Sequence, residues 1–176
     1  TFYRLTGDTR ALQAAIGIAD AIAPAAAHAH NPRQFGWPMI ALASVYDATG
    51  RPAYLAAARA YADAALATFR PTPAAGDWKM GILADGLAAV HAATGDERIR
   101  RWLLTYADTL VSEPGRYPDP RYALPLGYLA WSQWGWAMLR RGEVWLFLAI
   151  ALVPAAVYYH HAAADLHRHA VAVHDP

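Results

Sequence analysis

The sequence predicts an all-α protein built from antiparallel helical hairpins. Roughly a quarter of its 176 residues are Ala, the strongest helix former, and 56% of the residues are hydrophobic. The 12 Gly and 12 Pro residues gather between the Ala-rich stretches, as expected of helices separated by turns. Charged residues make up only 16%, against a typical value of about 25%. This composition excludes a disordered tail and a β-sandwich or barrel, and the length fits a single helical-repeat domain over residues 1–176.

An internal repeat indicates how the helices are organised. Residues 3–23, 46–66 and 91–111 align without gaps, and each copy carries a Thr-Gly pair near its start. The glycines of these pairs are 43 and 45 residues apart, a period typical of helical-hairpin arrays. Thirteen residues after its glycine each copy has an aspartate, and the three are Asp20, Asp63 and Asp108. Carboxylates repeated so regularly are predicted to stabilise the hairpins rather than to carry chemistry.

Each Thr-Gly pair marks a turn between two helices. Glycine supplies the left-handed residue that ends a helix, and Asp8 and Asp96 then stand where the dipole of the next helix favours negative charge. Pro52 fits the first turn of a helix, because its missing N–H would be unpaired there anyway. A further pair of matching glycines, Gly36 and Gly81, lies fourteen residues before the turn glycines. The repeating unit is therefore predicted to be helix, turn, helix.

The predicted elements follow from this unit in chain order. Residues 3–5 end a first helix, and the first helices of the next hairpins span residues 37–48, 78–93 and 126–139. Their second helices begin after Gly50, Gly95 and Gly142. Because the fourth copy is degenerate, the chain is expected to hold about three and a half to four hairpins and to be a fragment of a larger array. The loops before the first helices, residues 24–36, 70–76 and 112–125, should share one end of the stack.

The pattern resembles the six-hairpin (α/α) toroid superfamily of glycoside hydrolases and polysaccharide lyases. The features that carry the resemblance are the three Tyr/His-x-x-Thr-Gly turns, the downstream Ala-Asp, and the openings RQFGW at residues 33–37 and GDWK at residues 76–79. The resemblance covers residues 1–140 and implies inner and outer helices that alternate around a barrel. Six units of about 45 residues need about 270, so the chain would form a partial toroid. The remaining hairpins would come from flanking sequence or from a second copy.

The resemblance implies a carbohydrate-active enzyme, or part of one, that binds a glycan at the N-termini of the inner helices. Hydrolysis would use Asp85 as general acid, whereas elimination would use a base such as His30 or Tyr122 next to a uronate carboxylate. Arg33 or Lys79 would neutralise that carboxylate. The predicted substrate-binding residues are His28, Arg33, Trp37, Asp77, Trp78, Lys79, Asp119 and Arg121. The alternative class is a non-catalytic hairpin-repeat module with a concave binding face.

Two of these assignments have a structural alternative. Asp85 lies within an apolar run, where burial can raise the pKa of a carboxyl group and fit it for general acid catalysis, with Asp77 or Asp119 as the second carboxylate. The same aspartate could instead form a hydrogen bond across helices. Trp37 and Trp78 offer flat apolar surfaces on which a sugar ring can stack, or they could simply pack between helices.

Composition also bears on the classes of ligand. The net charge of +1 lacks the basic footprint of a nucleic-acid-binding protein, and the absence of Cys excludes disulfide scaffolds, Cys-rich zinc sites and thiol nucleophiles. Five of the eight His fall after residue 159, but His161 and His169 would be about 12 Å apart on a helix, too far for one metal ion. The sequence therefore predicts no metal site and no cofactor.

An uncharged segment at residues 144–164 has two interpretations. Its 21 residues are long enough to cross a bilayer, and Arg140 and Arg141 stand on one flank. Pro154 and the low mean hydropathy of +0.11 for the whole chain favour a buried helix instead. A membrane anchor and an outer helix of the array are both consistent with this segment.

Overall fold

A computed structural model describes residue 3 and residues 6–117, 119–123 and 125. These residues form five α-helices and no strand, so the all-helical prediction is confirmed for this part of the chain. The helices are α1 (Thr9–Ile22), α2 (Pro32–Thr49), α3 (Pro52–Thr68), α4 (Lys79–Thr94) and α5 (Glu97–Ser112). Short 3-10 helices span Ala23–His28, Pro114–Arg116 and Pro120–Ala123. All described residues belong to one compact unit, Thr1–Leu129.

The three Thr-Gly turns adopt the same geometry. Gly7, Gly50 and Gly95 have φ angles of 70°, 67° and 66°, the left-handed conformation that only glycine adopts at little cost. The N–H of each glycine donates to the carbonyl oxygen four residues earlier, at 2.7, 2.7 and 2.8 Å. The hydroxyl oxygen of each preceding threonine accepts a hydrogen bond from the N–H two residues further on, at 3.2 to 3.3 Å. The turns predicted from the sequence are therefore confirmed.

The helices that follow these turns begin as predicted. Asp8 caps α1 and accepts a hydrogen bond from the N–H of Arg10 at 2.9 Å. Asp96 caps α5 and accepts from the N–H of Arg98 at 2.8 Å. Pro52 is the first residue of α3. The N–H groups in the first turn of a helix have no partner within the helix. Asp8 and Asp96 accept hydrogen bonds from such groups, and Pro52 has no N–H that would be left unpaired.

Helix α2 begins five residues earlier than the sequence predicted. The side chain of Asn31 accepts from the N–H groups of Arg33 and Gln34 at 3.1 and 3.3 Å, and Pro32 occupies the first helical position. Pro38 consequently lies inside the helix, a position that removes one backbone hydrogen bond. The predicted loop 24–36 was therefore wrong over its last five residues. The helix predicted for residues 78–93 agrees with α4 to within one residue at each end.

Close backbone contact joins α2 and α4. A methyl group on Gly36 would overlap the carbonyl oxygen of Ile82, and one on Gly86 would lie 2.7 Å from the Cα of Gly36. A methyl group on Gly81 would likewise overlap the carbonyl oxygen of Arg121. Gly36 and Gly81 match in the repeat. Each is the position at which a first helix touches backbone from a later part of the chain, at Ile82 and Arg121 respectively. Their spacing in the sequence reflects packing.

The aspartates of the repeat connect successive second helices. Asp20 on α1 accepts a hydrogen bond from the hydroxyl group of Tyr54 on α3 at 2.8 Å, and Asp63 on α3 pairs with Arg98 on α5 at 2.8 Å. Asp108 would need a donor from the next repeat, at a position outside the described residues. These carboxylates therefore join neighbouring hairpins rather than the two helices of one hairpin.

Several features predicted from the sequence lie outside the described residues, namely the helix 126–139, the apolar segment 144–164 and the C-terminal histidines. Among the helices that the structure describes, none combines the length and the apolar character that a bilayer span requires.

Candidate functional site

Helices α2 and α4 leave one side uncovered. On α2 the buried row includes Phe35, Met39 and Leu42, and the opposite row is exposed or half-buried. We define the open face as the uncovered rows of the two helices: Arg33, Trp37, Ile40, Ser44 and Asp47 on α2, Trp78 immediately before α4, and Asp85, Ala89 and Ala92 on α4. Residues three and four positions apart share a helix face, which gives these rows their spacing.

A furrow between α2 and α4 shows that the exposed rows of the two helices lie on the same side of the helix pair. Ser44 and Asp47 of α2 and Ala89 and Ala92 of α4 line one concavity of about 250 Å³ at the C-terminal half of the helices. The small alanine side chains leave the space between the helices unfilled. This furrow was not anticipated from the sequence, where these residues carry no recognisable motif.

Trp37 and Arg33 are brought together, as predicted. Trp37 is 56% exposed, an unusual state for an indole, and it lines a second concavity of about 250 Å³ with Arg33 and Pro38. Asn31 and Gln34 complete this lining, and we call it the Trp37 pocket. The Trp37 side chain therefore does not fill the core.

Asp85 is half-buried among the buried residues of α4. Burial raises the pKa of its carboxyl group above the usual value, the direction that the apolar neighbours predicted. Desolvation is the one cause of this shift, and no hydrogen bond or ion pair connects Asp85 to another described residue. The alternative of a structural hydrogen bond across helices therefore has no support within the described residues.

Asp85 and Trp37 lie on either side of the α2–α4 crossing. Gly36 fits between Ile82 and Gly86, so the next residue on α2 and the preceding residue on α4 are at about the same level. Both belong to the open face. The structure thus places an exposed indole and a half-buried carboxyl group beside the same helix contact.

The second predicted tryptophan has one ring face occupied. The guanidinium carbon of Arg121 lies 3.5 Å from the centre of the Trp78 ring, a cation–π contact. Arg121 is held in turn by Asp119, whose carboxylate accepts hydrogen bonds from its Nε at 2.9 and 3.1 Å. These bonds lower the pKa of Asp119 to about 2. Trp78, Asp119 and Arg121 are therefore brought together as predicted, but largely satisfy one another.

Asp77 and Lys79 form a separate pair at the start of α4. The Lys79 Nζ lies 3.8 Å from the Oδ1 of Asp77, and this oxygen is buried without a hydrogen bond from any described group. Asp77 lies two residues before α4, and Asp85 follows it eight residues later in the chain. Asp77 and Asp119 stay predictions for the second carboxylate.

Tyr122, which the sequence predicted as a catalytic base, makes contacts of a structural kind. Its side chain is buried, and its hydroxyl group donates a hydrogen bond to the carbonyl oxygen of Ala74 at 3.2 Å. Its ring packs edge-on against Tyr117 with the centroids 5.2 Å apart. Burial raises the pKa of Tyr122, whereas a phenolic base needs a lowered one. This residue anchors the 3-10 helix Pro120–Ala123 to the loop before α4.

The two predicted histidines lie just before α2. His28 and His30 are exposed, and the backbone N–H of His30 donates to the Oε1 of Gln34 at 2.8 Å. Neither side chain lines the Trp37 pocket. The residues that sequence reasoning missed are Asn31 and Gln34. The Asn-Pro pair at the start of α2 is a helix N-cap signal and could have located the pocket.

Comparisons with protein-family models, curated proteins and solved structures found no match. The likeness to toroid glycosidases therefore rests on the sequence pattern alone. In the part of the chain that the structure describes, no cluster of three or more His, Asp or Glu side chains could hold a metal ion.

Proposed function

We propose that this chain is part of a carbohydrate-active enzyme of the (α/α) toroid type. In this proposal α2 and α4 are inner helices, and the glycan lies on the open face. The observation that carries the proposal is the placement of Asp85, a half-buried carboxyl group with a raised pKa, across the helix contact from the exposed Trp37.

Asp85 has the properties that a general acid needs. A proton donor must hold its proton near the working pH, and burial favours the neutral form of a carboxyl group. The absence of a described hydrogen-bond partner leaves its proton available to a glycosidic oxygen. A structural aspartate on an apolar helix would instead be expected to have a donor nearby, because an unsatisfied buried polar group is costly.

Trp37 supplies the surface for a sugar ring. Its indole is more than half exposed at the edge of the Trp37 pocket, whereas one face of Trp78 is already covered by Arg121. An apolar ring face beside polar groups suits the alternating C–H and hydroxyl surfaces of a pyranose. We therefore assign the main stacking role to Trp37.

A non-catalytic glycan-binding module is the second candidate. It is favoured by the ion pairs that already hold the two predicted second carboxylates, Asp77 with Lys79 and Asp119 with Arg121, because ordinary glycoside hydrolysis needs a second carboxyl group near the acid. In the enzyme proposal the second carboxyl group comes from another part of the toroid, supplied by flanking sequence or by a second copy.

The test compares three proteins on a panel of neutral and acidic oligosaccharides: the wild type, Asp85→Asn and Asp108→Asn. Asp108 is an exposed aspartate on α5 and provides the matched control. Product release followed by chromatography should be abolished by Asp85→Asn and retained by Asp108→Asn, with binding unchanged in both. Binding without turnover in the wild type would select the non-catalytic module. Full turnover by a folded Asp85→Asn variant would contradict the role of Asp85.

A further inference from the structure

Arg10 at the start of α1 has the same local contacts as Arg98 at the start of α5, with one contact missing. Both stand three residues after a turn glycine. Each guanidinium group pairs with the aspartate that caps its own helix, Asp8 at 3.0 Å and Asp96 at 2.7 Å. Arg98 makes a second ion pair, with Asp63 of the preceding second helix. Among the described residues Arg10 has no such second carboxylate, and its side chain is 91% exposed.

Asp108 is the opposite half of the same ion pair. It has in α5 the repeat position that Asp63 has in α3, and it is exposed without an ion pair or hydrogen bond to any described residue. In the fourth copy of the repeat the donor would stand three or four residues after Gly142, where Trp145 and Leu146 carry no positive charge. The array therefore has a guanidinium group without its second carboxylate at one end, and a carboxylate without its cation at the other.

Apolar side chains at the same two ends are exposed as well. Ile18 on α1 is 59% exposed, whereas Tyr61, at the matching position of α3, is 2% exposed. Tyr61 faces the preceding second helix, since its hydroxyl group donates to the carbonyl oxygen of Ile22 at 2.8 Å. Val111 on α5 is 72% exposed, whereas the matching Leu66 of α3 is partly buried against the core. The surfaces that join successive hairpins inside the array are thus uncovered at its two ends.

We infer that these two ends bind each other between copies, so that α1 of one copy docks head to tail against α5 of a second copy. In this contact the second copy's Asp108 binds Arg10, which reproduces the ion pair that already joins α3 and α5. A guanidinium group has five N–H donors, so Arg10 can bind this carboxylate without releasing Asp8. Each copy carries both surfaces and their charges are complementary, which makes a second copy of this chain the partner.

Apolar contact accompanies the ion pair. An exposed ion pair by itself contributes little, whereas burial of apolar surface is the main driving force of association. Ile18 and Val111 supply apolar area at the two surfaces. Because each surface binds the other and not itself, the contact is heterologous and joins copies into a closed ring or an open row. None of these residues has a role in the glycan proposal, so the two proposals can fail independently.

The experiment reverses the two charges, first separately and then together. Analytical ultracentrifugation over a concentration series measures the self-association of the full-length wild type, Arg10→Glu, Asp108→Arg and the control Arg59→Glu. Arg59 is exposed on α3, which belongs to neither surface, so its replacement changes the net charge as Arg10→Glu does. The wild type and Arg59→Glu should associate alike. Arg10→Glu and Asp108→Arg should each associate at least about tenfold more weakly, because like charges then face each other.

Charge reversal is used because Asp108→Asn would keep an oxygen that accepts from Arg10. An equimolar mixture of Arg10→Glu and Asp108→Arg should regain the wild-type association, since each variant supplies the charge that the other now needs. Circular dichroism melting shows that the variants are folded. Ile18→Ser, at an exposed position, removes apolar area from the same surface and should also weaken association.

Three results overturn the inference. A wild type that stays monomeric throughout the concentration series has no such contact. Association that is as strong in Arg10→Glu, Asp108→Arg and Ile18→Ser as in the wild type assigns self-association to another surface. A mixture that remains as weak as its two components shows that the charges of Arg10 and Asp108 do not meet.

Discussion

Gly36 and Gly86 bring the backbones of α2 and α4 into contact, since a methyl group on Gly86 would lie 2.7 Å from the Gly36 Cα. The same contact positions Trp37 and Asp85, each of which adjoins one of these glycines in the chain. The geometry of the candidate site therefore depends on two residues that have no side chain to contribute. Any widening of this contact would move the indole and the carboxyl group apart.

Replacing Gly86 with Ala should destabilise the fold by about 1 to 3 kcal/mol, because the added methyl group overpacks the helix contact. Gly17 provides the control: it lies in α1, and a methyl group there would meet nothing within 4 Å. Gly17→Ala should raise stability by about 0.4 to 1 kcal/mol through higher helix propensity and a less flexible unfolded chain. Urea unfolding of both variants measures these effects. A Gly86→Ala variant as stable as the wild type would show that α2 and α4 are not in backbone contact.

The raised pKa of Asp85 predicts a dependence of stability on pH. Because the folded state holds the proton more tightly than the unfolded state, stability falls as pH rises from the unfolded value of 3.8 through the raised folded pKa. Asp85→Asn removes this titration. The melting temperature of the variant relative to wild type should therefore rise with pH across this window and level off above it.

Thermal melts at several pH values from about 3 to 7 measure this difference, with Asp108→Asn as the control substitution at an exposed aspartate. A constant difference between wild type and Asp85→Asn at all pH values would mean that Asp85 is solvated in the folded protein.

The sequence predicted those features that depend on nearby residues. The left-handed glycines and the Asp8 and Asp96 caps are determined within a few positions of the chain, and they recur in each copy. The start of α2 was missed because Pro38 signals a helix start as well as Pro32 does, and only the hydrogen bonds of Asn31 decide between them. Local signals were sufficient for the turns and ambiguous for this helix.

The sequence predicted which residues belong to the candidate site better than it predicted which of them contact one another. Arg33 and Trp37 are four residues apart on one helix, so their proximity follows from helical geometry. The contact between Trp78 and Arg121 joins residues 43 positions apart, and nothing in the local sequence indicates that the cation covers the ring. The burial of Tyr122 likewise depends on Tyr117 and on the loop before α4, which meet only in the folded chain.

The two carboxylates that bind Arg98 should contribute unequally to stability. Asp96 caps α5 as well as pairing with Arg98, so Asp96→Ala should cost about 0.5 to 2 kcal/mol. Asp63 pairs with Arg98 between exposed side chains, and Asp63→Ala should cost less than about 1 kcal/mol. The second loss should also shrink at high salt, which screens an exposed ion pair and affects the cap less. Denaturant titrations of both variants at low and high salt measure these losses. A larger loss of stability in Asp63→Ala than in Asp96→Ala would show that the ion pair between α3 and α5 contributes more than the cap.

Tyr122→Phe separates the structural role of this residue from the catalytic role that the sequence first indicated. The substitution removes the hydrogen bond to the carbonyl oxygen of Ala74 and keeps the ring against Tyr117, so it should lower stability by about 0.5 to 1.5 kcal/mol. Product release from a glycan should be unchanged, because the buried hydroxyl group is directed at the backbone. Tyr117→Phe is the matched control, since its hydroxyl group makes the same kind of bond to the carbonyl oxygen of Pro73 at 3.0 Å. A Tyr122→Phe variant with wild-type stability and abolished turnover, beside a fully active Tyr117→Phe variant, would restore Tyr122 as the base of an elimination reaction.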